Sequence, residues 1–170
     1  MTLPDLPYSE IVRLHQAGGG VKRTLEPDAA ARARIAKALD LASLDSFVAE
    51  MALAPSPGGW RLSGRVRASL AQTCGITLEP LPVEIDAAFV VNLAEAVEPE
   101  SDEIIITLDD ESPDLIEDGQ VDLGQYAVEQ LALRLDPFPR KPGAEFVQPP
   151  EPVEISPFAV LKQLRPSGEG

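Results

Sequence analysis

Between Phe47 and Leu93, apolar and polar residues alternate with a period of two, the mark of strands that bury one face. Phe47, Ala49, Met51 and Leu53 share one face of a first strand. In a second strand, Trp60, Leu62, Val66, Ala68 and Leu70 face inward while Arg61, Ser63, Arg65, Arg67 and Ser69 face outward. In a third, Leu81, Val83, Ile85, Phe89, Val91 and Leu93 face inward, with Glu84 and Asp86 outward. Turn residues at 55–59 and 74–80 separate the runs, which predicts an antiparallel meander. A slip of one residue would turn every side chain over, so paired residue numbers must have odd sums. Around the first turn this sets Leu53 opposite Leu62 and Glu50 opposite Arg65. Around the second it sets Arg67 opposite Glu84 and Arg65 opposite Asp86. The outward arginines thereby gain carboxylate partners across the strands.

Two other stretches change to a helical period. Pro27 and Asp28 open the first, where proline gives up an N–H that has no intrahelical partner. Ala31, Ile35, Ala38 and Leu39 form its apolar stripe, Arg34 and Lys37 point away, and it is expected to end near Leu41. The second follows a polar turn at Asp118-Gly119 and a short extended piece, Gln120-Val121. Asp122 is its expected N-cap, with Gln125 at capping-box spacing. Leu123, Ala127, Leu131 and Leu135 recur every four residues. Tyr126, Val128, Ala132 and Leu133 widen that stripe, which predicts a mostly buried helix closing one face of the domain. Pro137 stops it.

The rest is less patterned. Residues 7–16 predict a first strand through Ile11 and Leu14, Gly18-Gly19-Gly20 a flexible break, and residues 21–25 another extended piece. Residues 94–118 hold eleven acids around Ile104-Ile105-Ile106, which are expected to add a short strand to the sheet. Residues 141–155 are proline-rich and acidic, hence extended. In 156–164, Phe158, Leu161 and Leu164 form one side of a short helix able to dock on its own domain or on a partner. The predicted fold is α+β: an antiparallel β-meander of about 4–6 strands, packed against two main helices, with a short C-terminal helix or tail. The expected organisation is a single domain over residues 1–140, an extended segment over 141–155 and a tail over 156–170.

Charge changes this picture most. The chain has 170 residues and a net charge of −14, unevenly spread. Met1 to Leu93 carries 9 basic and 10 acidic residues, a net of −1, whereas Ala94 to Gly170 carries 5 and 18, a net of −13. The second half repels phosphate backbones and attracts a basic protein, although solubility alone is also served by such charge. The single cysteine, Cys74, excludes an intramolecular disulfide, argues against a cysteine zinc site and fits a reducing compartment. The chain begins without a basic-then-apolar leader and has no membrane-length apolar run, so the expected address is the cytoplasm.

Candidate catalytic sets fail on their own chemistry. Cys74 and His15 are the residue types of a nucleophile and its base, but nothing in the sequence brings them together. Asp110, Ser112 and Asp114 start a calcium-loop spacing that breaks at Leu115 and Val121, where glycine and glutamate are needed. The triple glycine lacks the lysine and Ser/Thr of a phosphate loop. What remains is a binding module without a visible active site, metal or cofactor.

Three features resemble one family. Residues 118–123, Asp-Gly-Gln-Val-Asp-Leu, with the leucine-rich helix and Pro137 after them, are similar to the glycine, aliphatic and Asp-Leu segment of the YceD family, the large ribosomal RNA accumulation proteins. Residues 156–164, Ser-Pro-Phe-Ala-Val-Leu-Lys-Gln-Leu, resemble that family's ending. The third feature is the order of elements from Phe47 to Leu93, with a cysteine in the second turn. Many members carry Cys-x-x-Cys there; this chain has Cys74 and then Thr77, so the second thiol of a metal knuckle is missing. The resemblance implies a non-enzymatic role in accumulation, processing or stability of large-subunit ribosomal RNA.

Charge and resemblance together yield two expectations. In the first, the partner is a basic ribosomal protein or pre-ribosomal particle. It is held by Glu95, Glu98, Glu100, Asp109, Asp110, Glu111, Asp118 and Asp122, by a groove beside the 123–135 helix, and by Phe158 and Leu161 of the tail. In the alternative, Arg13, Arg61, Arg65 and Arg67 form a basic face that touches RNA directly.

Overall fold

The computed structural model describes residues 6–95 and 113–149. Its elements are β1 (Ile11–Arg13), α1 (Leu14–Ala17), β2 (Val21–Leu25), α2 (Ala29–Ala38), β3 (Ser43–Ser56), β4 (Gly59–Thr73), β5 (Pro80–Glu95), β6 (Asp114–Ile116), β7 (Gln120–Asp122) and α3 (Leu123–Ala132). The fold is α+β. Strands β2 to β6 form one sheet in that spatial order, and β1 pairs with β7 in a separate ribbon. Neighbours from β2 to β5 are antiparallel, but β6 runs parallel to β5. The sheet is therefore mixed, not the purely antiparallel meander that alternation predicts. A strand of three residues is too short to show a period.

The inward faces match the alternation. Phe47, Ala49, Met51, Leu53, Leu62, Val66, Ala68, Leu70, Ile85, Phe89 and Leu93 are all buried, and Ile35, Leu123, Ala127 and Leu131 of the helices join them in one apolar cluster. Each Val, Leu, Ile, Phe or Met side chain removed from water contributes about 1.5–3 kcal/mol, so the cluster dominates stability. Gly64 sits on this inward face between Met51 and Phe89. A Cβ there would lie 2.5 Å from the Glu50 carbonyl and 2.8 Å from the Phe89 ring. Glycine lets the ring lie flat against the strand.

The registers show where parity suffices and where it does not. Leu53 opposes Leu62 and Glu50 opposes Arg65, as expected. A bulge between Leu44 and Ser46 then shifts the parity, which returns Leu44 to the buried face. Around the second turn the expected pairs are wrong by two residues. Arg67 opposes Asp86, Ser69 opposes Glu84, and Arg65 opposes Ala88. The reason is the length of the turn. Strand pairing stops at Thr73 and Pro80, and the six residues between them close through Cys74 N–H to Glu79 C=O (2.9 Å) and Leu78 N–H to Cys74 C=O (3.0 Å). A shift of two keeps every side chain on its face, so the apolar pattern cannot detect it.

Other expectations are corrected locally. The first strand covers only Ile11–Arg13; the chain then turns into α1, which buries Leu14 and Ala17. Helix α2 starts as expected, with the Asp28 carboxylate accepting the Ala31 N–H at 2.7 Å. It ends before Leu41 because Asp40 takes a positive φ of 53°. Asp40 N–H then bonds the Lys37 carbonyl and Leu41 N–H the Ala36 carbonyl, a Schellman closure. Ala38 is exposed rather than part of the stripe. In α3, Leu123, Ala127, Val128 and Leu131 are buried, but Leu133 is 72% exposed because it caps the helix end. The expected strand at Ile104-Ile105-Ile106 and the short helix in 156–164 lie outside the described residues.

Candidate functional site

The site begins with a turn. Asp118 and Gly119 both have positive φ, 56° and 61°, and Gln120 N–H bonds the Glu117 carbonyl at 3.3 Å. Two successive left-handed residues are the usual link between paired strands of a hairpin. Here the strands part instead: β6 pairs with β5 and β7 with β1. A cleft of about 520 Å³ borders both strands. It is lined by Leu115 and Glu117 around β6, by Ile11, Gln120 and Val121 of the ribbon, and by Tyr126 and Glu129 of α3.

Asp122 fixes the start of α3. It caps α3, its carboxylate accepting the Gln125 N–H at 3.1 Å. The same carboxylate accepts the Glu10 N–H at 2.8 Å and the Ser9 hydroxyl. This lays the N-terminal segment across the first turn of α3, where Leu123 N–H also bonds the Glu10 carbonyl at 2.8 Å. The approach is so close that a Cβ on Gly124 would fall 2.7 Å from the Glu10 nitrogen. The return half of the capping box is absent, because the Gln125 side chain donates forward to Glu129 at 3.0 Å. At the cleft's other end, the Tyr126 hydroxyl donates to Asp114 at 3.1 Å. Burial, then the Asp114 charge, raises the Tyr126 pKa, so the phenol stays a neutral donor.

The electrostatics are one-sided. Asp114, Glu117, Asp122 and Glu129 all line the cleft. Among the described residues the ion pairs are Arg65–Asp86, Arg67–Glu50 and Lys141–Glu79, none of which touches it. Beside these acids, Ile11 is 57% and Leu115 68% exposed. Carboxylates without cations, next to bare aliphatic surface, suit a partner both basic and apolar.

Of the expected partner-binding residues, Asp122 lines the cleft, but its carboxylate is occupied within the fold. Asp118 sits exposed on the turn at its mouth. Glu95 ends β5, pairs with Ile116 of β6 and accepts the Trp60 indole N–H at 3.4 Å, but it is not itself a lining residue. Glu98, Glu100, Asp109, Asp110, Glu111, Phe158 and Leu161 lie outside the described residues. Sequence reasoning missed Ile11, Leu115, Tyr126 and Glu129 as site residues. Asp114 and Glu117 gave a signal as members of the acidic stretch, and the groove expected beside the 123–135 helix pointed to the element that carries Tyr126 and Glu129.

The arginines of the alternative do not form one face. Arg61, Arg65 and Arg67 lie on β4, whereas Arg13 belongs to the β1–β7 ribbon. Arg65 grips Asp86 with two N–H groups, diagonally across the strands. Arg67 reaches back to Glu50 at 3.0 Å.

Cys74 is fully buried at the β4–β5 turn. Its sulfur accepts the backbone N–H groups of Thr77 (3.4 Å) and Lys141 (3.3 Å), not a base at His15. Together with the Thr77 hydroxyl, the first cause, these donors push its pKa down to about 6, against the opposing effect of burial. Gly75 N–H to Pro139 C=O (2.9 Å) and Lys141–Glu79 (2.8 Å) complete a latch between this turn and the chain after α3. Thr77 thus supplies donors to the Cys74 sulfur.

The model of a family described as large ribosomal RNA subunit accumulation protein YceD matches residues 62–165. No curated protein and no solved structure matches the chain.

Proposed function

Because the chain belongs to the YceD family of large ribosomal RNA subunit accumulation proteins, we propose that it supports accumulation of that RNA by holding a basic ribosomal protein in the acidic cleft. The role is that of a non-enzymatic assembly factor acting in the cytoplasm, on a ribosomal protein or a pre-ribosomal particle. The observation that carries this reading is the cleft itself, where Asp114, Glu117 and Glu129 have no cationic partner among the described residues and lie beside exposed Ile11 and Leu115. The pairing of Arg65 and Arg67 with carboxylates weighs against direct RNA contact.

The test uses the full chain and individually purified basic proteins of the large subunit. At least one should bind with an affinity that falls as salt rises. The double change Glu117→Lys and Glu129→Lys should weaken that binding. Binding indifferent to both changes would remove the cleft as the contact. A gel shift of large-subunit RNA fragments at low salt, lost on changing Arg65 and Arg67 to Ala, would replace this reading with the RNA one.

A further inference from the structure

We infer that the cleft receives its basic partner as an extended strand added to the open edge of β6. The inference rests on the cleft reading and specifies the form of the occupant. Strand β6 pairs with β5 along one side, and among the described residues nothing pairs with its other side. Asp114, Leu115 and Ile116 all line the cleft. β6 is thus an edge strand whose whole length borders the cleft. Gln120, Val121 and Asp122 of β7 line the same cleft. Because β6 and β7 do not pair with each other, among the described residues the outer main-chain groups of β6 are left for another strand.

Open edges are normally blunted by lysine, proline or a bulge. Neither β6 nor β7 contains lysine or proline. The charges around this edge are carboxylates, which repel acidic segments and admit basic ones. Main-chain pairing would supply affinity, and alternate side chains the selection. Leu115 and Ile11 offer apolar contact, while Asp114, Glu117 and Glu129 meet ammonium or guanidinium groups. The occupant is thus a segment in which basic and apolar residues alternate. A helical occupant would leave the edge groups without partners.

The experiment titrates the full chain with a synthetic peptide of alternating Lys and Val, and with two versions N-methylated at every second residue, one in each frame. A strand donates to a given neighbour from every second residue, so one frame carries the bonds to β6. Methylation in that frame should weaken binding by about tenfold. Hydrogen exchange at Leu115 and Ile116 should slow in the unmodified complex. Loss in both frames also supports strand addition, with β7 paired as well. If both methylated peptides bind like the parent while Glu117→Lys with Glu129→Lys still weakens binding, strand addition fails and the acidic cleft stands. If the parent peptide does not bind, or binds the doubly changed chain equally well, both ideas fall.

Discussion

The outward face of the sheet and the cleft beside α3 hold similar side chains in opposite conditions. On the sheet, Arg65 and Arg67 have claimed Asp86 and Glu50. In the cleft, among the described residues, Asp114 has only the Tyr126 hydroxyl and Glu129 only the Gln125 amide, both neutral donors. A chain of net charge −14 contains both arrangements. Total charge therefore says little about where a partner binds. The informative quantity is charge left unpaired beside exposed apolar surface.

The comparison breaks first at Asp122, which lies in the cleft but serves the fold. Changing it to Ala removes a helix cap and strands the N–H groups of Glu10 and Gln125. The expected loss is about 2–3 kcal/mol of stability, read as a lower urea midpoint. Partner affinity measured where the variant is still folded should change little. A large affinity loss there would place Asp122 among the contact residues.

The next effect separates the two regions directly. Glu117→Lys with Glu129→Lys should cost about 2 kcal/mol of partner binding, roughly thirtyfold, with little loss of stability. Glu50→Lys with Asp86→Lys should do the reverse, setting like charges against Arg65 and Arg67 while leaving affinity alone. Equal binding losses from both pairs would mean that only overall charge matters.

How much of this was legible in sequence follows from the physics of each signal. The three long strands were readable because period-two burial is written at every other residue from Phe47 to Leu93. Their second register was not, since pairing shifted by two buries the same side chains. The cap at Asp122 was readable from local spacing, but its bonds to Ser9 and Glu10 join residues more than a hundred positions apart. The cleft was least legible. Asp118-Gly119 announces a hairpin turn, and no local signal says that its strands will part to pair elsewhere. Ile11 reads as an ordinary strand residue and Leu115 as part of the acidic stretch until the cleft they line is seen.

A smaller effect belongs to the latch at Cys74. Its pKa is held down to about 6 by the Thr77 hydroxyl and by backbone N–H groups, so folding favours the thiolate. That contribution is complete above the unfolded thiol's pKa and disappears as pH falls through about 6. Cys74→Ala should therefore lower Tm more at alkaline than at acidic pH, with the gap closing between about pH 9 and pH 6. A gap of constant size would show that packing alone, rather than the thiolate, holds the turn to the segment at Lys141.

The smallest effect lies on the sheet face. Arg65 and Asp86 are each half exposed, so water and salt screen the pair. Replacing Arg65 with Met keeps the apolar stem and removes the charge. Tm should fall by less than about 3 °C at neutral pH. The Arg65 hydrogen bonds, the first cause, hold the Asp86 pKa below its ordinary value. The pair's contribution is therefore present above the unfolded carboxyl pKa and fades as pH drops through the lower folded one. Wild type and variant should converge in acid, and their neutral-pH difference should shrink in high salt. A larger, salt-resistant loss would mean that Arg65 is held by more than exposed charge. The contrast between a neutralised sheet face and an unneutralised cleft would then have to be redrawn.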